Sequence, residues 1–275
     1  MGTYNSEDYQ AYMDFLNHRK PKEKESEKYY KGDMHIHSKY SWDSDMDIAA
    51  IIKYAEKYKL KYIGIADHVD FGNEATLDVV NKLKKRNEEI DKLQESTDVR
   101  ILKGVEVGEP HLYEDEMEYL KRISDLDYII GSIHYIKRVS LGRAKCKDLV
   151  NKYYREVLRM VKEADIDILG HMDYIKRYVD MDGLDEDLIY QIIDAIRAHE
   201  IALEINTSGL RRCGGLFPSD KIIDFYIKAK GKKITYGSDA HAEDELFTSI
   251  KETSMNQKIY KLTPGVIINH KFKQI

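Results

Sequence analysis

Short runs of apolar and β-branched residues alternate along this chain with longer segments of helical periodicity. The seven apolar runs are DMHIH at 33–37, KYIGIADH at 61–68, RILKGVEVGE at 100–109, DYIIGSIHYI at 127–136, IDILGHMDYI at 166–175, IALEINTSG at 201–209 and KITYGSDAH at 233–241. Each run has the length of a buried strand, and the longer stretches between them can hold crossover helices. The alternation predicts an α/β fold built on parallel strands.

Two of the intervening segments show a clear helical stripe. The stripe in residues 47–60 consists of Ile48, Ile51, Ile52 and Ala55. The stripe in residues 185–200 consists of Leu188, Ile192, Ile193 and Ile196. Asp185 precedes the second stripe and is its predicted N-cap. Seven strand–helix units without an obvious break favour a closed or nearly closed barrel, and an open doubly wound sheet is the alternative.

Composition is consistent with one large domain, because the 275 residues are 42% hydrophobic. Residues 1–31 are polar and carry no chemical motif, so we predict an N-terminal extension over 1–31 and a single barrel domain over 32–275. The net charge of −5 does not suggest nucleic-acid binding, and no run approaches the roughly 20 apolar residues of a membrane span. We therefore expect neither partner, and the sequence leaves the oligomeric state open.

The chain contains only two cysteines, Cys146 and Cys213, and they form no C-x-x-C motif. This usage predicts reduced thiols in a cytoplasmic protein. It also makes a zinc–thiolate site improbable, so any metal would be held by nitrogen and oxygen ligands.

Polar residues concentrate at the carboxyl ends of the predicted strands, where the catalytic site of a parallel barrel lies. In chain order they are His35, His37 and Asp43, then Asp67 and His68, Glu106 and Glu109, His134, His171 and Asp173, Glu204 and Asn206, and Asp239 and His241. With His111 in the loop after the third strand, seven of the ten histidines lie at or just after a strand end. Scattered surface histidines would not concentrate in this way.

Imidazole and carboxylate ligands together suit zinc, iron and manganese. One ion takes about three or four protein ligands, and nine candidates are too many for one ion. The nine are His35, His37, Asp43, His68, Glu106, His134, His171, Asp239 and His241. Two or three divalent ions that share a bridging carboxylate fit this number better. Clustered divalent ions indicate phosphoryl chemistry, because they activate water and neutralise charge on the attacking and leaving oxygens.

The segments that carry these residues resemble the motifs of the PHP superfamily, named for polymerase and histidinol phosphatase. In order they are DMHIHSKYSWDS, IADH, GVEVG, GSIHYI, GHMDY and GSDAH, and the resemblance covers residues 32 to about 245. It implies a distorted (β/α)7 barrel, similar to a TIM barrel, with up to three metal ions at the carboxyl ends of the strands. It also implies a phosphoesterase with a small-molecule phosphate ester as substrate.

The resemblance implies one ion held by His35, His37, Glu106 and Asp239. Glu106 would bridge to a second ion held by His134 and His171, and a third would be held by Asp43, His68 and His241. Glu106, Asp239 and His241 are the catalytic residues that follow from this assignment. Either His241 or Asp239 could assist the leaving oxygen.

Within the superfamily, three details are similar to the histidinol-phosphate phosphatases of histidine biosynthesis. Asp43 stands six residues after His37, where many other members carry histidine. GHMDYIKRY supplies Arg177 as a phosphate-binding arginine, and EINTSGLRR supplies Arg211 or Arg212, of which Arg211 is preferred. The resemblance implies hydrolysis of L-histidinol phosphate. Glu109 and His111 follow the third strand and could bind the amine or imidazole of histidinol.

Two alternatives stay open. The first is a general phosphoesterase of the same superfamily that acts on another phosphorylated metabolite or a nucleotide. The second is a metal-binding or regulatory module without activity. The second is disfavoured because degenerate sites usually lack a ligand, whereas all nine candidate ligands are present here.

Overall fold

The computed structural model describes residues 29–73, 75–144, 148–256 and 259–275. The predicted extension lies outside these residues except for its last three positions. Among those three, Tyr30 is buried: its ring packs on Tyr236 at a centroid distance of 4.7 Å, and its hydroxyl donates to the Gly265 carbonyl at 3.0 Å. The packed domain therefore includes Tyr30, two residues before the predicted boundary.

The described chain forms a mainly parallel sheet with helices on the connections. Its strands are β1 Gly32–Ile36, β2 Tyr62–Val69, β3 Arg100–Gly108, β4 Tyr128–Ser132, β5 Tyr135–Ile136, β6 Val139–Ser140, β7 Ile168–Leu169, β8 Ala202–Asn206, β9 Lys233–Gly237, β10 Thr263–Ile268 and β11 Lys271–Gln274. Its helices are α1 Ile48–Lys57, α2 Thr76–Gln94, α3 Glu114–Ile123, α4 Leu149–Glu163, α5 Glu186–Ala198, α6 Ser208–Cys213, α7 Asp220–Lys228 and α8 Ile250–Ser254. All seven predicted strands are present, although β7 is only two residues long.

Seven parallel strands follow one another in the order β1, β2, β3, β4, β7, β8, β9. The carboxyl ends of β1 and β9 then meet, because the His37 amide donates to the Ala240 carbonyl at 3.0 Å and the Asp239 amide donates to His35 at 2.8 Å. At the amino end of β9 the strand pairs instead with β10, which continues into the antiparallel strand β11. The predicted distorted (β/α)7 barrel is confirmed. The hairpins β5–β6 and β10–β11 were not predicted.

The predicted helical stripes face the core. Ile48, Ile51, Ile52 and Ala55 of α1 are all buried. Leu188, Ile192, Ile193 and Ile196 of α5 are buried as well. Asp185 caps α5 as predicted, since its side chain accepts the amides of Asp187 at 3.1 Å and Leu188 at 3.2 Å.

One buried tyrosine packs inside the barrel beneath the strand ends. Tyr128 is fully buried, and its hydroxyl donates to the Met34 carbonyl at 2.6 Å. Its ring passes directly over Gly64 and Gly104, where an added Cβ would lie 2.0 Å and 2.1 Å from the tyrosine side chain. Only glycine at these two positions leaves room for the ring, so Tyr128 packs directly on the backbones of β2 and β3 below the site.

A buried ion pair fixes the outer helix α2 to the barrel. Arg86 is fully buried, and its Nη1 donates to the Gly104 carbonyl at 2.7 Å and contacts Asp67 Oδ2 at 3.4 Å. Asp67 in turn accepts the Ser38 amide at 2.6 Å and the Ser41 hydroxyl at 3.1 Å. The Asp67 carboxylate therefore holds the loop after β1 in place.

We predict that Arg86→Leu lowers the free energy of unfolding by about 3–5 kcal/mol, because it leaves Asp67 buried without its charge partner. Urea denaturation of the wild type and the variant measures this. Arg159→Leu is the matched control, since it removes exposed ion pairs to Glu156 and Glu163 and should cost under about 1 kcal/mol. Equal losses in the two variants would contradict a structural role for the buried pair.

Candidate metal centre

The carboxyl ends of the parallel strands bring the nine predicted ligands into one cluster. His35, His68 and Glu106 belong to β1, β2 and β3 themselves. The other six follow strand ends or lie in the loop after β1: His37, Asp43, His134, His171, Asp239 and His241. His37 directly follows β1, and its Nε2 lies 3.1 Å from Nε2 of His35, so the two side chains point to the same place.

Three groups of these side chains have the geometry of a metal site, with all ligand atoms of a group within 4.8 Å of one another. In the described part of the chain the groups are His35 with His37 and Glu106, Glu106 with His134 and His171, and His37 with Asp43, His68 and His241. Asp239 lies beside the first group, with Oδ1 3.8 Å from His35 Nε2 and 3.4 Å from His37 Nε2. This division follows the predicted one, and the role of these residues as ligands stays a prediction.

Glu106 is the common point of the cluster. Its carboxylate is buried and lies within 3.5 Å of the imidazoles of His35, His37, His68, His134 and His171. Burial alone would raise the pKa of Glu106, but the charges of His35 and His68 and the hydrogen bonds of His134 and His171 hold that pKa well below its usual value. Asp239 has a similarly lowered pKa, since His35 and His37 outweigh its burial.

The imidazoles respond to the same field. Burial would lower the pKa of His35, but Glu204, Glu106 and Asp239 raise it well above its usual value. Against the effect of burial, Glu106 raises the pKa of His134 to about 9. His37 shifts the other way: burial, together with the nearby charges of His241 and His68, keeps its pKa well below normal. The carboxylates thus favour positive charge in a buried space.

These observations test whether divalent cations fit the site. The donor set is imidazole nitrogen and carboxylate oxygen, which suits zinc, manganese and iron. Two ring nitrogens that face each other at 3.1 Å, beside a buried carboxylate, form a pocket in which a cation would satisfy both nitrogens at once. The residues present therefore fit the predicted ions.

The loop after β1 supports the cluster from outside. The Ser41 hydroxyl lies 3.0 Å from His37 Nδ1, donates to Asp67, and accepts the His68 amide at 3.0 Å. Across the loop, Asp43 Oδ2 lies 3.4 Å from His68 Nε2 and 3.2 Å from His241 Nε2. Against the effect of burial, these two imidazoles lower the pKa of Asp43. Asp43 is therefore part of the cluster.

A cavity of about 420 Å³ opens above the cluster. That size suits a small metabolite. Its walls include Glu106, Asp239 and His241 together with residues that the sequence did not single out as binding residues: Trp42, Asp70, Tyr135, Ser140, Leu141, Tyr174 and Tyr178. A more open depression of about 550 Å³ at the opposite barrel end is lined by none of the candidate residues, so it has no evident chemistry.

The three predicted arginines occupy different positions. Arg177 and Arg212 line the cavity, and Arg177 also donates to the Tyr174 hydroxyl at 3.0 Å. Arg211, which we preferred from sequence, instead donates to Thr248 Oγ1 at 2.8 Å and the Ser238 carbonyl at 3.0 Å. Arg211 therefore holds the loop after β9, and Arg212 is the residue of this pair that faces the cavity.

The structure places Glu109 and His111 away from the cavity walls. Glu109 is buried, and its backbone adopts the left-handed conformation with a φ of 48°. Its carboxylate accepts the backbone amides of His134 and Tyr135. His111 Nε2 lies 3.1 Å from Glu156 on α4. Glu109 thus positions His134. Neither Glu109 nor His111 lines the cavity, where the prediction would have them bind the substrate.

Several wall residues could have been found from sequence. Asp70 follows the run at 61–68 by two positions, and Tyr174 and Tyr178 belong to the segment GHMDYIKRY, which also contains Arg177. Trp42 stacks on His68 with ring centroids 6.0 Å apart, and its Nε1 donates to Asp70 Oδ2 at 3.3 Å. The sequence feature that these residues share is a position just after a strand. Residues that only support the loops have the same feature, so it does not identify the cavity wall by itself.

Each of the described helices is too short or too polar to cross a membrane.

With this geometry, comparison with known proteins identifies the class. Residues 33–208 match the PHP domain, so the chain belongs to this family, as its motifs predicted. Among curated relatives, the probable histidinol-phosphatase of Clostridium acetobutylicum is 30% identical over 238 residues, 80% of this chain and 89% of that protein. The probable histidinol-phosphatase of Thermotoga maritima is 29% identical over 232 residues, 82% of this chain and 91% of that protein.

A solved structure agrees on the fold. Histidinol phosphate phosphatase from Lactococcus lactis, crystallised with zinc, L-histidinol and phosphate, matches with a TM-score of 0.75. The match covers 89% of this chain and 99% of that chain at 21% identity. At this identity the likeness establishes a shared fold.

Proposed function

We propose that this protein is a metal-dependent phosphomonoesterase that hydrolyses L-histidinol phosphate to L-histidinol and phosphate in histidine biosynthesis. The observation that carries the proposal is the set of three ligand groups joined through Glu106 and His37, beneath a cavity with two arginines. The relatives named as histidinol-phosphatases, which this chain matches over most of its length, support the substrate.

The cofactors we propose are two to three divalent ions of zinc, manganese or iron. The nine residues that would hold them are His35, His37, Asp43, His68, Glu106, His134, His171, Asp239 and His241. Such ions supply a nucleophile at neutral pH by lowering the pKa of bound water, and they neutralise the charge of the phosphate.

The arginines at the cavity wall are suited to the phosphate. Arg212 Nε is buried and has no hydrogen-bond partner among the described residues, so its guanidinium has donors left for a ligand. Arg177 lies across the aromatic rings of Tyr174 and Tyr178, at 5.8 Å and 5.6 Å from their centroids. Planar guanidinium groups can donate in pairs to phosphate oxygens, which fixes the orientation of the ester.

The opposite wall is suited to the other end of the substrate. Asp70 follows β2, whereas Arg177 and Arg212 follow β7 and β8, three strands away in either direction around the ring. The three residues line the same cavity from strand ends on opposite sides of the barrel. An ester with its phosphate on the arginines would bring a cationic far end towards Asp70, and histidinol carries an amine there.

Two residues remain candidates for the group that assists the leaving oxygen. Asp239 and His241 both line the cavity, and His241 Nδ1 lies 3.6 Å from Asp239 Oδ1. Glu106 lies between the first two ligand groups and is the proposed bridge. No nucleophilic side chain is required by this arrangement, so we propose direct attack by water.

We predict that the purified protein, loaded with zinc, manganese or iron, releases phosphate from L-histidinol phosphate much faster than from glycerol phosphate or nucleoside monophosphates. Metal analysis should find two to three ions per chain. Chelation, or His35→Ala, should abolish turnover while the circular dichroism spectrum keeps its folded shape. A flat substrate profile would favour the general phosphoesterase, and full activity without metal would refute the metal-dependent mechanism.

We predict that Arg212→Ala weakens inhibition by inorganic phosphate about tenfold or more and leaves the free energy of unfolding within about 0.5 kcal/mol, because its donors serve a ligand. Arg211→Ala is the matched comparison: it should lower stability by about 1–3 kcal/mol, since it breaks hydrogen bonds to Thr248 and Ser238. Steady-state inhibition and urea denaturation measure the two effects. The reverse pattern would assign phosphate binding to Arg211.

We predict that Asp70→Asn lowers kcat/KM for L-histidinol phosphate about tenfold or more, because a charged hydrogen bond to the substrate is lost. The rate with phenyl phosphate, which has no cationic end, should change less than about twofold. Asp45→Asn, an exposed charge in the loop after β1, is the control for long-range charge effects. Equal losses on both substrates, or the same loss in the control, would contradict recognition by Asp70.

A further inference from the structure

Glu204 lies in β8 beneath the ligand cluster and belongs to none of the three ligand groups of the described chain. Its side chain is buried, with 1% of its surface exposed. A buried carboxylate requires hydrogen-bond donors, and the identity of those donors shows what the group does.

Three donors converge on this carboxylate. Oε1 lies 2.6 Å from Nδ1 of His35. Oε2 accepts the backbone amide of His171 at 2.7 Å and the side-chain amide of Asn206 at 3.1 Å. One side chain therefore contacts a predicted ligand of the first group and a predicted ligand of the second.

The contact with His35 determines which ring nitrogen is free. A carboxylate only accepts, so the proton of the neutral imidazole lies on Nδ1 and the lone pair lies on Nε2. Nε2 is the atom that faces the cluster, at 3.3 Å from Glu106 Oε2 and 3.8 Å from Asp239 Oδ1. In the neutral ring, Glu204 thus holds the proton on Nδ1 and leaves the Nε2 lone pair free for a cation.

The contact with His171 acts through the backbone. The bond from its amide fixes the turn after β7, and this turn aims His171 Nε2 at Glu106 Oε1, 2.8 Å away. Space for the arrangement comes from Gly237, where an added Cβ would lie 2.3 Å from Glu204 Oε1 and 2.5 Å from His35 Cβ. Glycine at this position of β9 lets the carboxylate reach His35.

From this geometry we propose that Glu204 is a positioning residue for two ligand groups: it sets the ring form of His35 and the orientation of His171. The proposal rests on the metal-dependent function proposed above. It assigns to β8 a role in ion binding without direct contact with an ion.

Glutamine at this position would fail in either orientation of its amide. With its oxygen towards His35, its NH₂ group would face two other donors, the His171 amide and Asn206. With its NH₂ group towards His35, the imidazole would have to accept at Nδ1 and carry its proton on Nε2, where no lone pair would remain for a cation. Glu204→Gln is therefore close in shape and still removes the function.

The experiment is a zinc titration of the metal-free protein against a fluorescent chelator. We expect Glu204→Gln to weaken zinc binding about 10- to 100-fold at the sites that contain His35 and His171. The group of Asp43, His68 and His241 should keep its wild-type affinity. Asp127→Asn is the matched control, because Asp127 also accepts backbone amides, those of Lys103 at 3.0 Å and Asn269 at 3.1 Å, but lies at the other end of the barrel.

A second measurement needs no variant. Long-range ¹H–¹⁵N spectra of the zinc-loaded wild type should show His35 with its proton on Nδ1. A proton on Nε2 would overturn the proposal, as would unchanged zinc affinity in Glu204→Gln or an equal loss in Asp127→Asn. A wild type that binds no zinc, manganese or iron would overturn the proposed function and this proposal with it. If the wild type binds zinc tightly and Glu204→Gln binds it equally well, only the role of Glu204 would be overturned.

Discussion

The structure depends on one buried carboxylate that five imidazoles surround. Glu106 lies inside the barrel mouth, where an ionised group is costly unless positive charge or strong hydrogen bonds compensate for it. No single strand can supply that compensation, so β1, β2, β4 and β7 must all bring histidines to the same point. The same arrangement favours cations and contains two of the three ligand groups, and His37 joins it to the third. Fold and proposed chemistry therefore share one electrostatic requirement.

The support of this cluster comes from side chains that never reach the cavity. Asp67, paired with the buried Arg86, holds Ser41, which in turn contacts His37 and the His68 backbone. Glu204 acts from the opposite side on His35 and His171. Because ligand geometry must be held within a few tenths of an ångström, acidic residues at strand ends divide into those that face the cavity and those that orient their neighbours.

The parts of the fold that could be predicted from sequence are those in which local pattern and burial agree. The seven strands are short apolar runs, and the stripes of α1 and α5 repeat with the helical period, so each was visible in its own segment. The hairpins β5–β6 and β10–β11 were not predicted. Strand pairs of two residues carry almost no pattern. The place of β10 beside β9 depends on pairing between distant parts of the chain.

For the site, the sequence by itself determined which residue types meet, because parallel strands deliver their carboxyl ends to one face and the histidines and acids stand at those ends. Only the tertiary structure decided which way each loop side chain points. The backbone of Glu109 is left-handed, and its side chain accepts backbone amides. Of two adjacent arginines, Arg211 binds the loop after β9, whereas Arg212 lines the cavity. Position along the chain places a residue near the site, but the direction of a side chain in a loop is set by hydrogen bonds to partners remote in sequence.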